Sequence, residues 1–145
     1  MKVLVQRVIS SSVEVDGNIV GKIDNGLLLF VGFTEGDTSK EIDYMVDKVI
    51  NLRIFDDENG VMNKSLLDTN GSILSISQFT LYADASKGRR PSYVKALGGE
   101  KSILLYDEFN KKLKETGVHT ETGIFGAEMK VNLINDGPIT IMLEK

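Results

Sequence analysis

The apolar run GLLLFVGF at residues 26–33 is the feature that most constrains the fold. A strand with one face in water alternates apolar and polar residues, and this run does not alternate. Its length is that of a strand and falls well short of the ~20 apolar residues that cross a bilayer. We therefore predict a β-strand that is buried on both faces.

Further strands are predicted before and after this run. Residues 11–23 alternate apolar and polar positions around Asp16-Gly17, a dipeptide typical of hairpin turns. Residues 72–82, SILSISQFTLY, predict a second central strand. Two strand-like runs, at 129–134 and 139–144, end the sequence.

Helical periodicity appears in two longer segments. Thr38 is followed three residues later by Glu41, which fits a capping box, and the apolar spacing after it predicts a helix over about 39–51. Residues 100–117 repeat apolar residues every four positions and end in glycine, which predicts a second helix. Pro91 suits the first turn of a short helix.

These elements together predict the fold class. A chain of 145 residues fits one domain. We expect a single compact α/β domain over residues 1–145, with mixed β-sheet layers and the two main helices packed on one face.

Composition excludes several classes of function. The formal net charge is −4, whereas a protein that wraps nucleic acid broadly is basic, so any RNA contact has to be a local basic patch. The absence of cysteine excludes disulfides and thiolate chemistry. His119 is the one histidine, which excludes two-histidine mechanisms and metal sites within one chain. The opening MKVLVQRVI lacks the long apolar region of a signal peptide, and we expect a cytoplasmic protein without membrane contact.

Polar residues interrupt the second central strand at 77–80. Ser77, Gln78 and Thr80 either reach a pocket at the end of the strand or pair with neighbouring backbone, as buried polar groups usually do. A serine-hydrolase interpretation is weaker, because Ser77 lacks the G-x-S-x-G elbow and His119 lies far along the chain.

A short basic segment follows this strand. Lys87, Arg89 and Arg90 lie in SKGRRPSY, and arginine favours phosphate through bidentate hydrogen bonds. The segment is either a phosphate contact or a solvated basic loop.

The sequence NDGPIT places Pro138 between the two closing strand-like runs. Proline donates no ladder hydrogen bond and belongs at edges, turns or bulges, and Asn, Asp and Gly supply turn chemistry. The simplest interpretation is the turn of a hairpin. No metal cluster, P-loop or dinucleotide fingerprint accompanies these features, so we predict no metal and no cofactor.

The segments SQFTL at 77–81 and NDGPIT at 135–140 resemble the two signature motifs of the D-aminoacyl-tRNA deacylases. The segments VLVQRV, FDDENGVMNKSL, SQFTLYADASKGRRPSY and TGIFGAEMKVNLINDGPIT are similar to that family in the same order, over nearly the whole chain. One residue departs from the motif, since Ile139 stands where the family typically has valine.

The resemblance implies a homodimeric hydrolase that cleaves the ester between a D-amino acid and the 3′ end of tRNA, and that also removes glycine from alanine tRNA. It implies active sites at the dimer interface, with Ser77, Gln78, Phe79 and Thr80 forming the floor of the pocket. The resemblance also implies site residues in the second motif, together with an arginine that helps to hold it. They are Arg7, Asn135, Gly137, Pro138 and Thr140. The Gly137–Pro138 bond is implied to be cis and to enter the partner's site, while Lys87, Arg89 and Arg90 would contact tRNA.

This implied role agrees with physical reasoning about chirality. A side-chain pocket discriminates by size and polarity, so it cannot reject every L-residue. Bare carbonyls of Gly137 and Pro138 against Cα could exclude all L-side chains while leaving D-side chains in solvent, and glycine would not be excluded. No side chain is an evident general base, which fits the family's use of the tRNA terminal 2′-hydroxyl.

Three hypotheses follow from the sequence. The leading one is the deacylase, with Thr80 as a positioning residue and the backbone N–H groups near Phe79 and Thr80 as an oxyanion site. The second is a non-catalytic nucleic-acid-binding module that binds through the basic loop. The third is a relative with a trans Gly137–Pro138 bond and relaxed chirality.

Overall fold

A computed structural model describes all residues, 1–145, as a layered arrangement of strands and helices. The elements, in chain order, are β1 Lys2–Val15, β2 Asn18–Ile23, β3 Gly26–Gly32, α1 Ser39–Asn51, β4 Phe55–Asp56, β5 Met62–Lys64, α2 Leu66–Thr69, β6 Ser72–Ser77, a 3-10 helix Phe79–Tyr82, α3 Gly99–Glu115, β7 Thr120–Thr122 and β8 Lys130–Glu144. The mixed sheet and its helices confirm the predicted α/β class. No helix is long and apolar enough to cross a membrane.

The apolar run at 26–33 forms the centre of the main sheet. Strand β3 pairs with β1 antiparallel and with β6 parallel, in the order β2-β1-β3-β6-β7. Leu27 and Leu29 pack in the cluster beneath the helices, and Leu28 packs in a separate cluster on the opposite face. All three side chains are fully buried, so the prediction of burial on both faces is confirmed.

Both main helices cover the same face of this sheet. Helix α1 begins after Thr38 with the predicted capping box to Glu41, and it has the predicted bounds. Its apolar stripe and that of α3 share one core cluster with β1 and β3. Local capping and periodicity therefore identified both helices correctly.

The opposite face is covered by a second layer of strands. Strand β1 is long: its first half pairs with β3 and its second half pairs with β2. Strand β8 follows β1 along nearly its whole length and passes with it into the second layer. The β1–β2 hairpin turns at Asp16 and Gly17, both with positive φ (49° and 79°), as the hairpin signal predicted.

The prediction of one strand over 72–82 is wrong in its second half. Strand β6 ends at Ser77, because Ser77 pairs with Val31 and this is the last pair between β6 and its parallel partner β3. Beyond that point the chain has no partner to extend the ladder, and it turns into the 3-10 helix Phe79–Tyr82.

The predicted short helix at Pro91 is also wrong. The backbone of Ser92 exchanges two hydrogen bonds with Asp84, at 2.8 and 2.9 Å. This bridge takes the amide and the carbonyl that a helix would need, so the segment forms a closed loop.

The prediction that NDGPIT forms the turn of a hairpin is wrong. The runs on either side of Pro138 do not pair with each other, because both belong to β8 and both pair with β1. Gln6 pairs with Thr140 while Val8 pairs with Asn135, so β8 carries extra residues at this point. Gly137 and Pro138 therefore form the tip of a bulge, and the peptide bond between them is cis.

Candidate active site

A cavity of about 630 Å³ opens at the carboxyl end of β6. It lies between the end of that strand, the start of α3 and the segment leading into β8. Its walls are mostly apolar, and they consist of Val31, Ile76, Ser77, Gln78, Phe79, Tyr93, Ala96, Leu97, Gly99, Ser102, Phe125, Gly126, Ala127, Met129 and Val131. Three of the four predicted floor residues, Ser77, Gln78 and Phe79, thus line one pocket.

The end of β6 determines where these three residues lie. The Gln78 amide donates a 2.7 Å hydrogen bond to the Val31 carbonyl, which is the last backbone bond before the chain turns. Phe79 then projects its ring at the pocket, 54% exposed, with an edge contact to the Tyr93 ring at 5.2 Å. The strand end therefore places a polar edge beside an aromatic wall.

Two backbone donors lie at the same edge. Phe79 and Thr80 are the first residues of the 3-10 helix, so their amides have no acceptor within that helix, and no side chain caps them. Adjacent free amides of this kind suit an oxygen that carries negative charge. Of the two residues, Phe79 belongs to the pocket wall.

Thr80 lies beside the pocket rather than in its wall. Its Oγ1 accepts a 2.5 Å hydrogen bond from Nε2 of Gln78, a residue that does line the pocket. This contact restrains the orientation of the Gln78 amide.

The pocket wall contains no aspartate, glutamate, histidine, lysine or arginine. His119 lies outside the pocket wall, directly before β7, and its Nε2 is 3.2 Å from the Glu121 carboxylate. A phenol behind the pocket, Tyr106, donates its hydroxyl to the Ser75 carbonyl at 2.7 Å, and burial raises its pKa. The pocket therefore offers oriented hydrogen-bond donors and apolar contact, but no side chain suited to be a general base.

The second predicted group surrounds the bulge of β8. Arg7 is buried, and its Nη1 donates to the Ile54 carbonyl at 2.6 Å while its Nε contacts the Asp136 carboxylate at 3.1 Å and the Asp136 carbonyl at 3.3 Å. The guanidinium thus joins the strand segment before Gly137 to the segment that follows α1.

Asn135 closes the base of the bulge. Its Oδ1 accepts from the Ile139 amide at 2.9 Å, and its Nδ2 donates to Thr140 Oγ1 at 2.9 Å. Gln6 Nε2 also donates to Thr140 Oγ1, at 3.2 Å. Gly137 and Pro138 are exposed beyond these contacts, so the tip is anchored from below and open to solvent.

The pocket and the bulge are far apart within one chain. Ser77 is level with Val31 and Val3, whereas Gly137 lies beside Arg7, four residues along β1 and about 13 Å away in that direction. Three strand spacings, about 14 Å, separate β6 from β8 across the sheet. Gly137 and Pro138 therefore do not line the pocket of their own chain.

The predicted basic loop is exposed. Lys87, Arg89 and Arg90 lie between the bridge residues Asp84 and Ser92, and no ion pair or side-chain hydrogen bond occupies them. The loop leads directly to Tyr93, a wall residue of the pocket. The loop that leads to this wall residue thus carries three exposed cations without an ion pair in the chain.

Several wall residues were absent from the sequence prediction. Leu97, Ser102, Phe125 and Met129 line the pocket but come from segments that the motifs do not include. Helical spacing assigned Ser102 only to the second helix, and Phe125 and Met129 lie in a segment that resembles the family but were not singled out as site residues. Tertiary packing alone brings these residues to the end of β6.

Comparison with known proteins agrees with this geometry. Residues 4–144 match the family described as D-Tyr-tRNA(Tyr) deacylase. A protein of Clostridium tetani named D-aminoacyl-tRNA deacylase is 57% identical over 144 residues, covering 99% of this chain and 97% of the relative. A protein of Clostridium botulinum (strain Hall) with the same name is 54% identical over the same coverage.

Two solved structures share the fold. The structure named c-Myc DNA Unwinding Element Binding Protein superimposes with a TM-score of 0.94 at 40% identity, covering 100% of this chain and 99% of the other. A probable eukaryotic D-amino acid tRNA deacylase superimposes with a TM-score of 0.85 at 18% identity, covering 98% and 97%, which is a likeness of fold alone. Because the family model matches residues 4–144 and a relative is 57% identical over nearly the full length, this chain belongs to the D-Tyr-tRNA(Tyr) deacylase family of enzymes.

Proposed function

We propose that this enzyme hydrolyses the ester of D-aminoacyl-tRNA, releasing the free D-amino acid and tRNA, and that it also removes glycine from alanine tRNA. The observation that carries the proposal is the pocket at the end of β6, whose wall holds no acid or base and includes Phe79, the first residue of an uncapped 3-10 helix. Such a site can bind an aminoacylated nucleoside and stabilise charge on its ester, but it needs a hydroxyl from the substrate.

The proposed reaction balances with water as the only co-reactant. Water adds to the ester carbonyl, and the resulting oxyanion accepts hydrogen bonds from the amides of Phe79 and Thr80. The bond between the acyl carbon and the ribose 3′-oxygen then breaks, and a proton passes to that oxygen. The terminal 2′-hydroxyl of the tRNA orients the attacking water, while Gln78, held by Thr80, orients the ester.

Chirality in this proposal is decided by a second copy of the chain. Gly137 and Pro138 are exposed at an anchored tip and are remote from their own pocket, which supports their entry into the pocket of a partner subunit in a homodimer. Backbone carbonyls near the substrate Cα would clash with any L-side chain, and they would leave D-side chains and glycine untouched.

The strand that carries the tip supports the dimer. Strand β8 pairs only with β1, so its other edge is free, and Ile134 and Met142 on this strand are 57% and 43% exposed. A free edge with exposed apolar side chains favours association with another chain. Lys87, Arg89 and Arg90 near the pocket entrance would contact the tRNA backbone.

The direct test is hydrolysis of D-Tyr-tRNA, L-Tyr-tRNA and glycine-charged alanine tRNA by micromolar enzyme. We expect rapid release from the first and third substrates and none from the second. No hydrolysis of the D-ester would contradict the proposed activity, while equal hydrolysis of the D- and L-esters would contradict only the chirality gate.

A second candidate, a non-catalytic nucleic-acid-binding module, is favoured by one comparison. The structure that is 40% identical is named as a DNA unwinding element binding protein, and this chain has three unpaired cations in one loop. The formal net charge of −4 opposes broad nucleic-acid binding. This candidate predicts salt-sensitive DNA binding that is lost when Lys87, Arg89 and Arg90 are replaced by alanine, with no turnover of D-aminoacyl-tRNA.

A further inference from the structure

Helix α3 starts at the wall of the pocket without a cap. Its N-cap residue is Gly98, which has no side chain to cap the helix, and the amides of Gly99 and Glu100 have no acceptor within the helix. A Cβ built on either glycine would meet nothing within 4 Å. Gly99 lines the pocket, so the positive end of a 17-residue helix is open at the pocket rim.

A buried hydroxyl lies one turn further along the same helix. Ser102 is only 8% exposed and lines the same pocket. None of the side-chain hydrogen bonds of the chain involves Ser102. Gly99 and Ser102 are three residues apart and so share one face of the helix. The fully enclosed side-chain atoms that lack a partner are Ser75 Oγ and Asn110 Oδ1, so the Ser102 hydroxyl is open to the pocket and available to a ligand there.

These donors are suited to an anion. Free amides at a helix N-terminus, together with a hydroxyl, are a recurring arrangement for phosphate. No charged side chain belongs to the pocket wall; the neighbouring Glu100 and Lys101 are exposed, and Lys101 pairs with Glu35 at 3.1 Å. The apolar cavity would hold the nucleoside, and the phosphate attached to that nucleoside would lie at its rim.

We propose that the amides of Gly99 and Glu100, together with the Ser102 hydroxyl, bind the phosphodiester that joins the terminal adenosine of the tRNA to the preceding nucleotide. The proposal rests on the proposed function, because it takes the cavity to hold the aminoacylated nucleoside. It adds a specific requirement: affinity depends on a 5′-phosphate that takes no part in the ester chemistry.

The probes are two non-hydrolysable analogues, 3′-(D-tyrosylamino)-3′-deoxyadenosine with and without a 5′-phosphate. Calorimetry should give about tenfold tighter binding for the phosphorylated analogue, which is the size expected for charge-assisted hydrogen bonds. Inorganic phosphate should compete with the phosphorylated analogue and leave binding of the other unchanged.

Two variants form a matched pair at one position. Gly99→Pro removes a single amide hydrogen at the first helical position, where proline is well tolerated, and Gly98 already has the extended conformation that proline requires before it (φ −59°, ψ 147°). Gly99→Ala keeps that hydrogen and adds a methyl group in open space. We expect the preference for phosphate to fall to about twofold in Gly99→Pro and in Ser102→Ala, and to persist in Gly99→Ala.

The outcomes separate this inference from the proposed function. Equal binding of both analogues to the unaltered enzyme, or an unchanged phosphate preference in both Gly99→Pro and Ser102→Ala, would overturn the phosphate site and leave the deacylase activity standing. Failure of the enzyme to bind either analogue would overturn the proposed function and this site with it. Circular dichroism of each variant confirms that α3 remains folded.

Discussion

Replacement of Arg7 by lysine tests whether one buried guanidinium holds the bulge of β8 in place. Arg7 contacts two separate segments, the Ile54 carbonyl at 2.6 Å and Asp136 at 3.1 Å. Lysine keeps the charge, but its ammonium is a single point that cannot reproduce the planar fork of arginine. We therefore expect one of the two segments to lose its donor.

The magnitude follows from the burial of each acceptor. Ile54 is buried, and a buried carbonyl left without a donor costs about 1–3 kcal/mol. The Asp136 side chain is 45% exposed, so the loss of its ion pair costs at most about 1 kcal/mol. The free energy of unfolding should thus fall by about 2 kcal/mol, and the ratio of D-Tyr-tRNA to L-Tyr-tRNA hydrolysis should fall as the tip loses its anchor.

The assay is equilibrium urea unfolding at neutral pH, combined with hydrolysis of both esters. Arg53→Lys is the matched control, because the Arg53 Nε also donates to a backbone carbonyl, that of Asn63 at 2.9 Å, but at an exposed position. We expect a change below about 0.5 kcal/mol there. If Arg7→Lys is no more destabilised than Arg53→Lys, the guanidinium does not anchor the bulge.

Three further variants test other parts of the structure. Thr80→Ala should lower kcat about tenfold without abolishing hydrolysis, because it removes one hydrogen bond to Gln78; complete loss of single-turnover hydrolysis with tRNA binding intact would show a chemical role. Phe109→Ala should cost about 3–5 kcal/mol in urea unfolding, since Phe109 is fully buried, and a loss below about 1 kcal/mol would contradict this packing. The pKa of Tyr82 is raised to about 12 mainly by burial, so its folded form holds a proton more tightly than the unfolded form. The contribution of this group to the free energy of unfolding is fully present below about pH 10 and is lost as the pH rises towards 12. Tyr82→Phe should therefore reduce the fall in the free energy of unfolding between these two pH values. An unchanged slope would refute the assignment.

Local signals predicted the elements that depend on nearby residues. The capping pair Thr38 and Glu41 sets the start of α1 by contacts three residues apart, so the predicted bounds agreed with the structure. The apolar run at β3 was equally informative, since an apolar run of strand length without alternation predicts burial on both faces, and all three leucines are fully buried. The Asp16-Gly17 turn likewise needs only the two residues with positive φ.

Elements that depend on distant partners could not be predicted in the same way. Strand β6 ends where β3 ends, and nothing in SILSISQFTLY encodes that position. Asn, Asp, Gly and Pro suit a hairpin turn and a bulge equally well, so only pairing with β1, more than 120 residues away in sequence, distinguishes the two. Resemblance identified the motif residues, whereas Ser102 joins the pocket through packing alone.

The shared course of β1 and β8 has a mechanical consequence. Both strands pass from one layer to the other near the bulge, where the pairing is irregular at Gln6–Ser10. Each half of β8 is then fixed by a different core, the helix-covered cluster after the bulge and the smaller cluster before it. The tip thus lies between two halves of one strand that are packed in separate cores. Cavities introduced at Val13 or Leu74, neither of which lines the pocket, should therefore shift one half of β8 and change how far Gly137 projects.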